Sequence, residues 1–135
     1  MRVSAKVDYA IRALAELASA PPGPVTSERL ADAQGIPPKF LENILLELRR
    51  SEIVASQRGA EGGYMLARPA AEVSLADVIR AVEGPIASVR GSRPDQIEYT
   101  GAATGLKDVW LELRTSMRDV LEGTSLADLV ERSRT

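Results

Sequence analysis

"LADAQGIPPKFLENILLELRR", residues 30–50, is the stretch on which the fold turns. Its first part closes a short helix, and Gly35 supplies the residue type that accepts a left-handed conformation just past a helix end. Pro38 falls in the first turn of the next helix, where a missing N–H is no loss. In that helix Leu41, Ile44, Leu45 and Leu48 recur on one face and predict a buried stripe. Lys39, Phe40, Glu42, Asn43 and Glu47 lie off the stripe. Two short helices across a tight glycine turn, the second with a mixed polar face, form a helix-turn-helix candidate. Many helical pairs share that description, so the flanking sequence has to discriminate.

On the N-terminal side, Thr26 is an N-cap spanned by a Val25–Leu30 staple, which predicts a helix over 27–34. "APPGP" at 20–24 separates it from an amphipathic helix over 4–19, capped by Ser4, with Val7, Ala10, Ile11, Leu14, Leu17 and Ala18 at helical spacing. On the C-terminal side, "IVASQR" and "YMLA" read as strands around a glycine-rich turn. A hairpin directly after a helix-turn-helix makes a winged helix, so the two signals support each other. "SLADVIRAVEG" follows as a helix with Ser74 and Asp77 as a capping pair and Leu75, Val78, Ile79 and Val82 on one face. Residues 84–104 read as a long loop. Leu106, Trp110, Leu113, Met117 and Val120 then alternate by four and three, a coiled-coil seam supplemented by Val109 and Leu121. "SLADLVERS" gives a last helix, and no internal repeat or low-complexity tract is recognised. The expected class is mainly α with a small β-hairpin: a winged helix-turn-helix region (1–83), a loop (84–105), and a long dimerisation helix with a C-terminal helix (106–135).

Composition bounds what such a chain can do. Its 135 residues are 44% hydrophobic and 27% charged, as in an ordinary single domain. No apolar run approaches the roughly 18–20 residues of a membrane span. The charged N-terminus lacks a signal peptide's apolar stretch, so no membrane association and a cytoplasmic location are expected. There is no cysteine and no histidine. Disulfides, thiol or imidazole catalysis and the usual zinc and iron–sulfur ligand sets are thereby excluded. No nucleophile–base pair, phosphate loop or metal cluster suggests an enzyme, and no cofactor is expected. The net charge of −2 does not advertise a nucleic-acid binder. A DNA-binding reading must therefore rest on where the cations are placed.

"MRVSAKVDYAIRAL", "LADAQGIPPKFLENILLELRR", "RGAEGGYMLARP", "SLADVIRAVEGP" and "SLADLV" together span nearly the whole chain. In this order they resemble the Rrf family of bacterial transcription regulators, the IscR, NsrR and CymR type. The resemblance implies a homodimeric winged-helix repressor or activator that binds an imperfect palindrome in double-stranded DNA. It places Lys39, Phe40, Glu42 and Asn43 in the major groove, where Asn pairs with adenine and Glu accepts from cytosine. Phe40 is read either as a thymine-methyl contact or as core. Arg58 on the wing would enter a narrow minor groove, with Gly59, Gly62 and Gly63 allowing close backbone approach and Tyr64 beside them. Arg2, Lys6, Arg49 and Arg50 are phosphate candidates. Leu106, Val109, Trp110, Leu113, Met117, Val120 and Leu121 would form the dimer contact.

Several positions depart from the family pattern. Glu47 and Glu61 add negative charge where relatives are basic, small or glycine-rich. Glu52 replaces a helix-ending glycine, at a cost of about 1 kcal/mol if positive φ is needed. The 84–105 loop has none of the cysteines by which many relatives hold an iron–sulfur cluster, and Asp8 alone cannot replace them, so the chain resembles the cluster-free branch. Arg90, Arg93 and Tyr99 are then candidate contacts for a small anionic effector, with a partner enzyme as another source of signal. The competing reading is a protein-interaction module that kept the winged fold and lost DNA binding.

Overall fold

The computed structural model describes residues 2–134. Six α-helices and one hairpin follow in the order α1 (Ala5–Ser19), α2 (Ser27–Gln34), α3 (Pro38–Arg50), β1 (Val54–Gln57), β2 (Gly63–Leu66), α4 (Leu75–Val82), α5 (Leu106–Glu122) and α6 (Leu126–Ser133). The helix starts are where the capping residues put them. Ser4 accepts from the Val7 N–H and Thr26 from the Arg29 N–H, each satisfying a donor that the helix itself leaves free. Gly35 ends α2 at φ 62°, in the left-handed region.

Helix α1 is the hub. It packs on α2, α3, α4 and α6, and its Val7, Ala10, Ala13, Leu14 and Leu17 are buried. Leu41, Ile44, Leu45 and Leu48 of α3 fill the other side of the same core, joined by Ile53, Val73, Val78, Val82 and Leu126. Both sides of the helix-turn-helix are thus set by apolar burial, which fixes which residues of α3 remain outside.

The hairpin pairs antiparallel in the register Val54–Leu66, Ala55–Met65, Ser56–Tyr64 and Gln57–Gly63. It is anchored to the helical body by a two-way exchange across the turn before α2: Val25 N–H donates to Tyr64 O at 2.8 Å, and Tyr64 N–H to Val25 O at 2.7 Å. A Cβ on Gly63 would stand 2.5 Å from the Val25 carbonyl oxygen, and one on Gly62 only 2.1 Å from that of Gln57. These two glycines therefore have an internal reason. Gly59, at φ 110° with open space around it, serves the turn at the tip.

The tetrapeptide Ser-Leu-Ala-Asp occurs twice, at 74–77 and 125–128, too short a recurrence to make a structural repeat. Each copy forms a full capping box, Ser74 with Asp77 and Ser125 with Asp128. The copies clasp each other: Leu75 N–H donates to Thr124 O and Leu126 N–H to Val73 O, both at 2.9 Å. This joins the start of α4 to the corner between α5 and α6.

Residues 84–105 are more ordered than a plain loop. Short 3-10 turns occupy Pro94–Gln96 and Gly101–Ala103, and Pro94 and Ile97 are buried. Val89 and Ser92 exchange backbone hydrogen bonds of 2.8 and 3.0 Å around Arg90 (φ 52°) and Gly91 (φ 77°), a two-residue turn with both centres left-handed. The segment is fastened to α5 by polar contacts. Asp95 pairs with Arg114 as well as Arg93, Glu98 pairs with Lys107, and the Trp110 indole donates to the Tyr99 hydroxyl at 2.9 Å. No helix among the described residues is long and apolar enough to cross a membrane.

Candidate nucleic-acid interface

With its apolar stripe buried, α3 presents Lys39, Phe40, Glu42, Asn43, Leu46, Arg49 and Arg50 to solvent. Leu46 lies outside the helical spacing of the buried stripe, and an apolar residue in that position is itself a signal. Five of these side chains, Lys39, Phe40, Asn43, Leu46 and Arg50, border a shallow cleft of about 440 Å³ with Lys6 of α1 and Glu47. Phe40 is 53% exposed, which removes it from the core. Its ring is nevertheless held from behind, edge-on to Tyr9 with centroids 6.0 Å apart. The Arg12 guanidinium caps Tyr9 from the other side at 5.4 Å. Arg12 also bonds Asp8, one turn earlier, and both the side chain and the carbonyl of Gln34. Asp8 is therefore a first-turn charge on α1 paired along its own helix.

The wing places Arg58, Gly59, Ala60 and Glu61 at its exposed tip. Tyr64 is half-buried against the core, so its part in the wing is attachment to the body. Between the wing and the end of α3 lies a second shallow groove carrying Arg49, Glu52 and Arg68. Arg68 follows β2 and has no motif of its own in the sequence. Among the described residues no carboxylate pairs with Lys39, Arg49, Arg50 or Arg58. Lys6 differs: its ammonium sits 2.9 and 2.8 Å from the two Glu47 oxygens. Arg2 lies apart, at the mouth of the groove beside α5.

That groove, about 580 Å³, has mainly apolar walls, with Val3, Val7, Ile79, Trp110, Leu113 and Met117 among them. No residue of α5 is fully buried. The expected seam divides here: Trp110, Leu113, Met117 and Leu121 line the groove, Leu106 is half-buried, and Val109 and Val120 stand 53% and 66% exposed. Of the residues expected to meet an effector, Arg90 is exposed on its turn, Arg93 is forked onto Asp95 at 3.2–3.3 Å, and Tyr99 holds the Trp110 indole. Burial works to raise the Asp95 carboxyl. Its own backbone N–H and the Arg93 guanidinium, with the charge of Arg114, outweigh that and hold it below the ordinary value of 3.8.

A helix-turn-helix with a polar outer face, a cation-tipped hairpin beside it and a second helical layer behind define a winged-helix DNA-binding regulator. The comparisons give the class its family. Residues 3–132 match the Rrf2 family model, described as iron-dependent transcriptional regulators. The chain belongs to that family. It is 55% identical over 130 residues to a Mycobacterium tuberculosis protein described as an HTH-type transcriptional regulator, covering 96% of this chain and 81% of that one. Against the HTH-type regulator CymR of Bacillus subtilis it is 30% identical, over 96% and 89%. The solved structure of that CymR superposes with a TM-score of 0.84 over 98% of both chains at 28% identity. IscR of T. potens gives 0.80 at 31%, over 98% and 88%. The chain is thus a DNA-binding transcriptional regulator of winged-helix fold.

The iron in the family's description does not fit this donor set. Thiolate and imidazole are absent from the sequence, and among the described residues no three carboxylates converge on a point that could hold a metal.

Proposed function

We propose that the protein is a homodimeric repressor that reads an imperfect palindrome without an iron–sulfur cluster. The observation that carries this is the division of α3, whose Leu41, Ile44, Leu45 and Leu48 side chains are buried while Lys39, Phe40, Glu42 and Asn43 face outward beside the wing. A helix so oriented fits the major groove, which alone displays a distinct donor and acceptor pattern for each base pair. Asn43 reads adenine and Phe40 packs on a thymine methyl, its ring braced by Tyr9. Arg58 enters the neighbouring minor groove, and Arg49, Arg50 and Arg68 lie along the phosphates. Two copies joined through α5 place two recognition helices on one face of the duplex, and half-site symmetry follows.

The signal, in this reading, arrives through the segment fastened to α5. CymR is described as a global cysteine regulator in B. subtilis, and a sulfur metabolite or a partner enzyme fits a chain with no cluster ligands. An anion entering beside Arg90 and Arg93 has to displace Asp95, which would loosen the strap on α5.

The experiment is protection of the gene's own promoter by purified protein, followed by salt-controlled titration of variants. Arg58→Ala should weaken binding wherever an A·T-rich flank is present, and Asn43→Ala should relax preference at one base pair. Each change should cost about 1–3 kcal/mol. Parent-like binding by both variants would defeat these groove assignments and favour a winged-helix interaction module.

A further inference from the structure

Within the cleft beside α3, Lys6, Lys39 and Arg50 bring three cations together, and Glu47 is the one carboxylate among them. We propose that Glu47 limits the protein's affinity for DNA by holding Lys6 away from the DNA backbone. The proposal rests on the docking of α3 set out above.

Lys6 lies in the first turn of α1, 41 residues before Glu47, so only the packing of α1 on α3 brings them together. The ammonium donates to Glu47 Oε1 at 2.9 Å and lies 2.8 Å from Oε2, which is buried and accepts no hydrogen bond. Both side chains are about two-thirds covered, at 34% and 36% exposure. Partial burial screens the pair less than a surface pair and keeps it closed. For Lys6 to reach a phosphate it would have to abandon Glu47, leaving a half-buried carboxylate facing a polyanion. The contact that Lys6 could give is thereby cancelled. Phosphate contacts are the sequence-independent part of DNA affinity, whereas base contacts discriminate. A phosphate contact is worth about the same on any sequence, so silencing one cation on this face lowers operator and random-sequence affinity alike.

The test titrates full-length protein with salt on two duplexes, one of random sequence and one carrying the promoter site. Glu47→Gln should tighten random-sequence binding roughly fivefold near 0.15 M salt and steepen the log–log salt slope by about 0.9, the signature of one added phosphate contact. Operator binding should tighten by a similar factor, leaving the ratio of the two affinities little changed. In a Lys6→Met background the same substitution should leave the slope where that background sets it. Glu47→Ala, a good helix former, should repeat the slope change without any residual amide–ammonium hydrogen bond. An unchanged slope, or weakened operator binding with random binding intact, would overturn the proposal; the latter would mean that Glu47 reads a base directly. Lys39→Ala separates this from the docking itself, since it should flatten the slope. If Lys39→Ala does so and Glu47→Gln has no effect, the docking stands and this inference fails. If neither variant moves the slope, both fall.

Discussion

Glu52 is the residue at which the chain departs most sharply from local rules. The end of α3 is a complete Schellman motif: Ile53 N–H donates to Leu48 O at 2.9 Å and Glu52 N–H to Arg49 O at 3.0 Å. That geometry needs a left-handed residue between them, and Glu52 takes it at φ 60°. A side chain pays about 1–2 kcal/mol for this conformation, and glycine's greater unfolded freedom returns roughly 0.4–1 kcal/mol. Glu52→Gly should therefore stabilise the protein by about 0.5–1 kcal/mol in urea unfolding, with the denaturant dependence unchanged. A loss of stability would mean that the left-handed turn is not strained. The sequence shows that a glycine is replaced here, and the structure supplies the positive φ that makes the replacement costly.

Among the elements, α5 has the most unfinished surface. Its apolar side chains are half-covered at best, and Val109 and Val120 have no neighbour to remove them from water. A continuous apolar band of this kind on a small protein marks an association surface. Replacing Leu113 and Met117 together with Asp should give monomers by sedimentation and abolish promoter binding, while the helical signal of the winged region persists. A parent protein that sediments as a monomer at micromolar concentration would defeat the dimer reading. The heptad spacing of α5 is legible in sequence. Its division between a groove-lining side and an outward side is not, because that depends on where the segment before α5 lies.

Across the molecule, carboxylates tie the C-terminal half together, and one of them, Glu122, fastens it to the winged region. Glu122 accepts from Arg80 of α4 and from Arg118 one turn back. The Arg80 hydrogen bond is the main cause that holds its pKa below the ordinary 4.5, with desolvation opposing and Arg118 assisting. Asp128 is held below 3.8, first by the Ser125 N–H and then by the Ser125 hydroxyl, and Asp95 is lowered as well. A group whose folded pKa is depressed contributes stability above its unfolded value and loses it as pH falls through the folded one. The urea midpoint should thus decline as pH is lowered from about 5 towards 2, and Glu122→Gln should make that decline shallower. A midpoint independent of pH in this range would show that the carboxylate ties do not hold in solution.

Wherever the decisive interaction spans four residues or fewer, the sequence alone determined it. Ser4, Thr26, Ser74 and Ser125 cap the helices they precede, Gly35 ends α2, and the stripe of α3 is buried as its spacing requires. The outward residues of α3 follow from the same periodicity, which is why its exposed face was readable. Only the tertiary structure decided what depends on distant partners. It turned Lys6 towards Glu47, braced Phe40 on Tyr9, and clasped the two Ser-Leu-Ala-Asp turns together. It also gave Gly62 and Gly63 reasons that lie inside the protein, at the carbonyls of Gln57 and Val25. Helical spacing and capping act over about one turn, whereas the partner of a surface charge or the neighbour of a glycine is set by how whole helices pack.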